Sequence, residues 1–342
     1  MTSKKETFGY SGLANLGNTC FLNSCMQALS HTYELTNLLS SDKYKKVLNK
    51  SLPESGLIEE WNNLRNLMWS QNGIIAPNRF VHNVQQLAVQ KDRDLFTGWA
   101  QNDLPEFLLF IVECMHNSMA RPVVVNITGK IKTKLDSRAN ECYKMLQQTY
   151  GRDYSEIVEM FNGIYVSELA SMNGKTIHSI NPEQYFILDL EIPQKNATLY
   201  ECFDSFTSYE TLEGENAWFN EKTNKKENVK KRITFWSLPT ILIITLKRFE
   251  IDGKRKRQDL VDFPLNNLNL SKYVCGYRAK RCIYDLYAVC NHSGGITGGH
   301  YTSYVKNRGD EWVHYNDTQV ERNVPPHKIV SPKSYCLFYR KQ

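Results

Sequence analysis

The chain lacks any long apolar run. No stretch approaches the ~18 consecutive apolar residues that suggest a bilayer span, and the first twenty residues, polar and then glycine-punctuated, lack the apolar core of a signal peptide. A membrane association is not expected, and an intracellular setting, cytoplasmic or nuclear, is. Paired cysteine spacing is missing as well. The nine cysteines, at 20, 25, 114, 142, 202, 275, 282, 290 and 336, are odd in number and irregularly spaced, which argues against a disulfide framework. None forms a CxxC pair, so no zinc site, no other metal and no cofactor are expected. The net charge of +6 sits in short clusters, chiefly Lys43 to Lys46, Lys222 to Arg232 and Lys254 to Arg257. A basic stripe interleaved with aromatics is absent, so nucleic acid is not an expected partner and the clusters read as solvated faces. Asp252-Gly253 reads as a hairpin turn with charged flanks, which competes with nuclear targeting by Lys254-Arg255-Lys256-Arg257.

Internal repeats, low-complexity tracts and linkers are also absent. Of 342 residues, 41% are hydrophobic and 23% charged, ordinary globular usage that allows a sizeable core. Residues 1–7 read as a tail and 8–342 as one domain. With about two residues after the core, no accessory domain is expected, and the protein is expected to be a monomer.

From Leu13 to about Met119 the pattern is helical. Phe21, Leu22, Cys25, Met26 and Leu29 recur at helical spacing, and Leu104, Phe107, Leu108, Ile111, Val112 and Met115 form a second stripe. Asp103 and Glu106 are spaced as a capping box, with Pro105 in the first turn. Residues 120–160 are more polar, with helices expected near Ala139 to Gln148 and leading into Met160-Phe161. From about Gln184 the period becomes two: Phe186, Leu188, Leu190 and Ile192 alternate with polar neighbours. Later runs at Ile241 to Leu246, Tyr284 to Val289, Tyr301 to Val305, Trp312 to Tyr315 and Tyr335 to Tyr339 are β-branched or aromatic. A helical first part, about 8–160, and a strand-rich second part, about 161–342, predict an α+β fold.

Tyr301 to Val305 and Trp312 to Tyr315 flank the turn-rich Asn307-Arg308-Gly309-Asp310, which predicts an antiparallel hairpin. With a loop of two or four residues the paired positions sum to 617, placing His300 opposite Asp317 with Asn316 diagonal or adjacent. A histidine oriented by Asn or Asp is two-thirds of a catalytic triad, since the partner fixes the tautomer and stabilises the imidazolium. The alternative is a satisfied surface histidine. Gly294, Gly295, Gly298 and Gly299 crowd the approach to His300, as where another backbone comes very close. Cys20 opens a helix directly after the turn Asn15-Leu16-Gly17-Asn18-Thr19, where free amides and the macrodipole favour thiolate. Cys25, Cys114 and Cys290 read as core.

Gly12-Leu13-Ala14-Asn15-Leu16-Gly17-Asn18-Thr19-Cys20-Phe21-Leu22-Asn23-Ser24 resembles the cysteine box of the ubiquitin-specific proteases. Asn291-His292-Ser293-Gly294 through Gly299-His300-Tyr301-Thr302-Ser303-Tyr304 resembles their histidine box. Between them, Gln101-Asn102-Asp103 with Glu106-Phe107-Leu108, Leu238-Pro239 through Leu246-Lys247-Arg248-Phe249, and Val261-Asp262-Phe263-Pro264 are similar to further family motifs, in the right order from about Phe8 to Arg340.

The resemblance implies a papain-like fold of helical thumb, β-sheet palm and β fingers, acting on ubiquitin or ubiquitinated proteins. It implies Cys20 as nucleophile, His300 as base and then acid, Asn316 or Asp317 as the orienting residue, and Asn15 in the oxyanion hole. Asp103 and Glu106 would face the arginine-bearing tail of ubiquitin. His292, Gly298, Gly299 and Tyr301 would line the passage for its Gly-Gly end. Members often carry two zinc-binding CxxC pairs in the fingers, but this chain has Ala170, Asn173, Asn220 and Thr223 there. Alternatives are a hydrolase for another modifier ending in Gly-Gly and a catalytically weak ubiquitin-binding scaffold.

Overall fold

The computed structural model describes residues 8–249, 255–295 and 298–342; the turn expected at Asp252-Gly253 lies outside them. The N-terminal part is helical. The short strand β1 (Gly12–Leu13) is followed by α1 (Cys20–Ser30), α2 (Tyr33–Ser40), α3 (Asp42–Val47) and α4 (Glu54–Ser70), then β2 (Ile74–Ile75), α5 (Asn78–Gln90) and α6 (Leu104–Met119). α6 buries the stripe read from its sequence, Leu104 through Met115. α1 goes further than its apolar spacing requires: all eleven of its residues are buried, including Asn23, Ser24, Gln27 and Ser30. The amide nitrogens of Asn23 and Gln27 and the Ser30 hydroxyl find acceptors inside the protein. Gln27 Nε2 donates to the Ser11 carbonyl at 2.8 Å and Ser30 Oγ to the Gln27 carbonyl at 2.9 Å. Phe21 meets Phe107 edge-on with ring centroids 5.2 Å apart, seating α1 on α6.

α7 (Lys134–Tyr150) and α8 (Glu156–Phe161) follow. α7 starts earlier than its apolar pattern suggests because Thr133 and Asp136 form a capping box. Its Ala139 and Cys142 pack with Ile164, Val166 and Trp236 of the neighbouring sheet. That sheet contains β3 (Gly163–Ser171), β4 (Ile177–Tyr185), β6 (Tyr209–Leu212) and β9 (Val229–Ser237) in the order β4-β3-β9-β6, while β7 (Trp218–Asn220) and β8 (Lys225–Glu227) form a separate hairpin. These are the fingers. At two of the four positions where the resemblance would put zinc ligands, Asn220 Nδ2 and Thr223 Oγ1 both donate to Glu227 Oε1, at 3.0 and 2.6 Å. Such a donor set does not fit zinc, and among the described residues no three His, Cys, Asp or Glu gather around one point.

The palm comprises β5 (Ile187–Glu191), β10 (Ile241–Lys247), β11 (Leu268–Asn269), β12 (Ile283–Gly294), β13 (Gly299–Lys306), β14 (Trp312–Asn316), β15 (Gln319–Glu321) and β16 (Ser334–Lys341), in the order β15-β14-β13-β12-β16-β10-β5 with β11 on β12. Period two sends alternate side chains to opposite faces. Ile241 and Ile243 of β10 join the core shared with α1 and α6, whereas Leu242, Ile244 and Leu246 join a second core with Leu199 and Phe203 of α9 (Leu199–Phe206). A register shift between Leu286 and Ala288 of β12 acts as a bulge, so that consecutive Tyr287 and Ala288 both face the first core. The palm is thus buried on both faces, and its β12–β14 end lies over α1.

Candidate active site

The turn before Cys20 is built by its own side chains. Asn15 Oδ1 accepts from the amides of Gly17 at 3.1 Å and Thr19 at 3.0 Å, and Thr19 Oγ1 accepts from the Leu16 amide at 3.0 Å. Gly17 (φ 113°) and Asn18 (φ 54°) are consecutive left-handed residues, a conformation that suits glycine and asparagine. The Trp99 ring lies against Gly17, and Asn18 Nδ2 donates to the Trp99 carbonyl at 2.8 Å. Cys20 therefore enters α1 at a fixed point, 3% exposed.

The helix N-terminus was expected to favour its thiolate; in the resting structure the thiol's pKa is instead raised. Burial is the largest cause, opposed by the Tyr301 backbone and reinforced by the Asp317 carboxylate, with the backbone of Phe21 and of Cys20 itself lowering it further down the order. Desolvation outweighs the amides, so Cys20 rests as a thiol and must give up its proton during reaction. Cys25, Cys114 and Cys290 are buried core residues, as read from the sequence.

The hairpin carrying His300 forms with a different register. Its loop has five residues, Asn307 to Glu311, closed by the Asn307 amide on the Glu311 carbonyl at 2.8 Å, with Gly309 and Asp310 left-handed. The odd loop shifts pairing to Ser303 with Tyr315 and Val305 with Val313, positions that sum to 618, so His300 does not face Asp317. Its ring instead reaches Asn316, the last residue of β14: His300 Nε2 lies 2.7 Å from Asn316 Oδ1. A carboxamide oxygen only accepts, so Nε2 carries the hydrogen and Nδ1 is left basic. The other end of the amide donates to Gln319 Oε1 at 3.4 Å. No hydrogen bond joins Cys20 Sγ to the His300 ring.

Asp317 does something else. At φ 50° its carboxylate turns to the cysteine box, accepting from Asn15 Nδ2 at 3.0 Å and Asn23 Nδ2 at 2.8 Å, and its carbonyl accepts from the Leu13 amide at 2.9 Å. The choice between Asn316 and Asp317 thus resolves into two jobs. Asn316 holds the imidazole, and Asp317 ties the turn containing Asn15 to α1 while leaving the second amide hydrogen of Asn15 free.

A cleft of ≈ 240 Å³ leads to Cys20, lined by Gln101, Asp103, His292, Gly299, Tyr301 and Tyr335 among others. Asp103 is at the N-cap of α6, but no side-chain capping bond forms there, so the expected capping box with Glu106 is absent. Its Oδ1 instead accepts from the hydroxyls of Tyr301 at 2.9 Å and Tyr335 at 3.0 Å. Burial raises the Asp103 pKa against those donors. Glu106 is exposed in the first turn. His292 lies within β12, paired with Tyr301, and lines the cleft. Gly299 has no room for a side chain, since a Cβ there would come 2.1 Å from His292 Nε2 and 2.6 Å from the Ser293 carbonyl; a Cβ on Gly298 would meet Gln101 Oε1 at 3.6 Å.

Gln101 carries no local signal for a site role beyond its place in the Gln101-Asn102-Asp103 run. It spans the cleft: the Gly299 amide donates to Gln101 Oε1 at 2.7 Å and Gln101 Nε2 to the Gly299 carbonyl at 2.9 Å. This two-bond pairing of a carboxamide with the N–H and C=O of one residue imitates a strand neighbour, a role a sequence cannot announce before the two segments are known to meet.

Comparison with known proteins agrees with this geometry. The ubiquitin carboxyl-terminal hydrolase family profile matches residues 11–339. The chain is 31% identical to human ubiquitin carboxyl-terminal hydrolase 2, over 98% of its own length and 56% of that protein, and 31% identical to human ubiquitin carboxyl-terminal hydrolase 21, over 97% and 61%. It therefore spans little more than half the length of these human relatives. It is 26% identical to the probable ubiquitin carboxyl-terminal hydrolase R319 of Acanthamoeba polyphaga mimivirus, covering 98% of this chain and 91% of that one. Among solved structures, the SAGA Ubp8/Sgf11/Sus1/Sgf73 DUB module bound to ubiquitin aldehyde shares the fold with a TM-score of 0.76 at 24% identity, covering 100% of this chain and 72% of that chain. The same module in another structure gives a TM-score of 0.70 at 26% identity, covering 99% and 69%. With its cysteine and histidine boxes brought to one cleft between α1 and β13, this chain belongs to the ubiquitin carboxyl-terminal hydrolase family, whose members are cysteine-type deubiquitinases.

Proposed function

We propose that the protein hydrolyses the isopeptide or peptide bond after the C-terminal glycine of ubiquitin. The observation that carries this reading is the His300–Asn316 pair, which leaves Nδ1 basic on the strand whose Gly299 and Tyr301 line the cleft leading to Cys20. Cys20 gives its proton to His300 and its sulfur adds to the glycine carbonyl. The oxyanion is held by the Cys20 amide and the free amide hydrogen of Asn15, donors of a kind worth ~10² to 10³ in rate. Collapse breaks the C–N bond as His300 protonates the leaving amine, giving a thioester. Water then gives a proton to His300 and its oxygen adds to the thioester carbonyl, and Cys20 leaves.

Because the Asp103 carboxylate is engaged by two tyrosines, the exposed Glu106 is the freer acid for an arginine in the tail. The experiment compares hydrolysis of one fluorogenic amide carried by ubiquitin and by related modifiers ending in Gly-Gly. Faster turnover on ubiquitin, abolished in Cys20→Ala, supports the reading; preference for another modifier rejects it. An intracellular setting, cytoplasmic or nuclear, is proposed as well, supported by nine unpaired thiols. The expectation of a monomer remains a proposal without support from the structural relatives, which are multi-subunit modules.

A further inference from the structure

Lys256 belongs to the basic cluster that charge pattern alone assigns to a solvated face. The fold turns it inward. An antiparallel bridge pairs Lys256 with Phe249, and its ammonium donates to the His292 carbonyl at 2.6 Å and lies 2.9 Å from His292 Nδ1. An ammonium has no acceptor capacity, so Nδ1 is the unprotonated nitrogen and the ring hydrogen is on Nε2. Two rings pack around the imidazole, with the Tyr301 ring centroid 4.6 Å away and that of Phe249 at 5.7 Å. Its Nε2 edge lies against the backbone of Gly299, in the cleft wall leading to Cys20, and has no hydrogen-bond partner among the described residues. Burial, then Lys256 and His300, lowers the pKa of His292 to about 4, and burial lowers that of Lys256 to about 8. The pair thus presents one neutral, oriented donor to whatever peptide occupies the cleft.

We propose that Lys256 is a positioning residue that fixes His292 as a hydrogen-bond donor, through Nε2–H, to a main-chain carbonyl of the substrate's C-terminal tail. The inference rests on the reading of the activity given above and adds a tail contact and the residue that orients it. A second-layer lysine fixing a histidine tautomer works as outer partners do for metal-bound histidines, by removing the ring's alternatives.

Lys256→Met, His292→Phe and the double variant test it in the intact chain. Each is assayed for hydrolysis of a ubiquitin C-terminal fluorogenic amide, and for Cys20 alkylation by iodoacetamide, which needs no tail and reports an intact thiol site. Lys256→Met is expected to lower kcat/KM about three- to tenfold, the effect of one lost hydrogen bond, with KM carrying most of it and the alkylation rate kept. Lys256→Arg, which retains a cationic donor, recovers part of the loss. The double variant is expected to lose no more than His292→Phe, because Lys256 acts through His292. Additive losses, or kcat/KM unchanged in Lys256→Met, overturn the proposal. The long-range ¹H–¹⁵N spectrum of the free protein gives a readout independent of ubiquitin: His292 protonated at Nε2 supports the assignment, and protonation at Nδ1 overturns it. A parent protein inert toward ubiquitin counts against the activity, and the spectrum separates that failure from a failure of this inference.

Discussion

Replacing Asn316 with alanine removes one acceptor from His300. In the resting protein the bond at 2.7 Å joins neutral groups, for which ~1 kcal/mol is usual; once the ring has taken the Cys20 proton the bond is charge-assisted and contributes about 1.5–3 kcal/mol. Only the difference lowers the barrier, because the resting bond stabilises the ground state equally. That difference, roughly 0.5–2 kcal/mol, corresponds to a fall in kcat of about 2- to 30-fold. KM should hardly move, since Asn316 is not among the residues that line the cleft. The assay is steady-state hydrolysis of a ubiquitin C-terminal aminocoumarin amide, with enzyme concentration fixed by active-site titration. A kcat within twofold of the parent, or a loss carried by KM, refutes the assignment of Asn316 as the orienting residue.

Other outcomes follow from neighbouring contacts. Asp317→Ala removes a charged acceptor from Asn15 and from buried Asn23, which keeps only the Leu13 and Ala14 carbonyls at 3.3 Å. A loss of about 1–3 kcal/mol in stability is expected by denaturant unfolding. Because the same carboxylate raises the Cys20 pKa, iodoacetamide should alkylate Cys20 faster in that variant at neutral pH even as turnover drops; slower alkylation contradicts the electrostatic role. His31 is fully buried, with Nδ1 2.9 Å from the Gln27 carbonyl and Nε2 without a partner, and its pKa is lowered to about 4, chiefly by burial. The unfolded chain, with an imidazole near 6.5, binds the proton more readily, so the stability from neutral His31 is full above that value and is lost as pH falls toward 4. The loss approaches ~3 kcal/mol, and urea midpoints at pH 7 and pH 4.5 should converge in His31→Gln; an unchanged pH slope in that variant rules the group out. 1,10-Phenanthroline should leave the melting temperature and turnover unchanged, because Asn220, Thr223 and Glu227 hold the finger tip; a drop reversed by zinc would show that the tip holds metal.

What the sequence made legible follows from locality. The stripes of α1 and α6, the alternation from Phe186 to Ile192 and the β-branched or aromatic runs of β10 and β16 are carried by near neighbours in the chain, so elements and core residues could be read from local pattern alone. The His300 register could not, because it depends on whether Asn307 to Glu311 closes as four residues or five, and one residue is enough to slide the pairing past Asp317. The polar face of α1 looked unremarkable for the same reason: Asn23 and Gln27 acquire meaning only when Asp317 and Ser11 are brought beside them. Asp103 carried a correct local signal for a helix start, and tertiary contact with Tyr301 and Tyr335 overrode its capping chemistry. Lys256 was hidden by a charge run that usually points to solvent. The boxes around Cys20 and His300 were legible because their residues are contiguous; Gln101, which links them to the cleft, depends on a contact across 198 positions of sequence.

The central claim is that Cys20 is the nucleophile of a ubiquitin-directed hydrolase. Ubiquitin bearing a C-terminal thiol-reactive electrophile, incubated with the protein and followed by peptide mass mapping, tests it most directly. The account predicts one adduct, on Cys20, absent in Cys20→Ala and slowed in His300→Ala; an adduct on another of the nine thiols, or none, contradicts it.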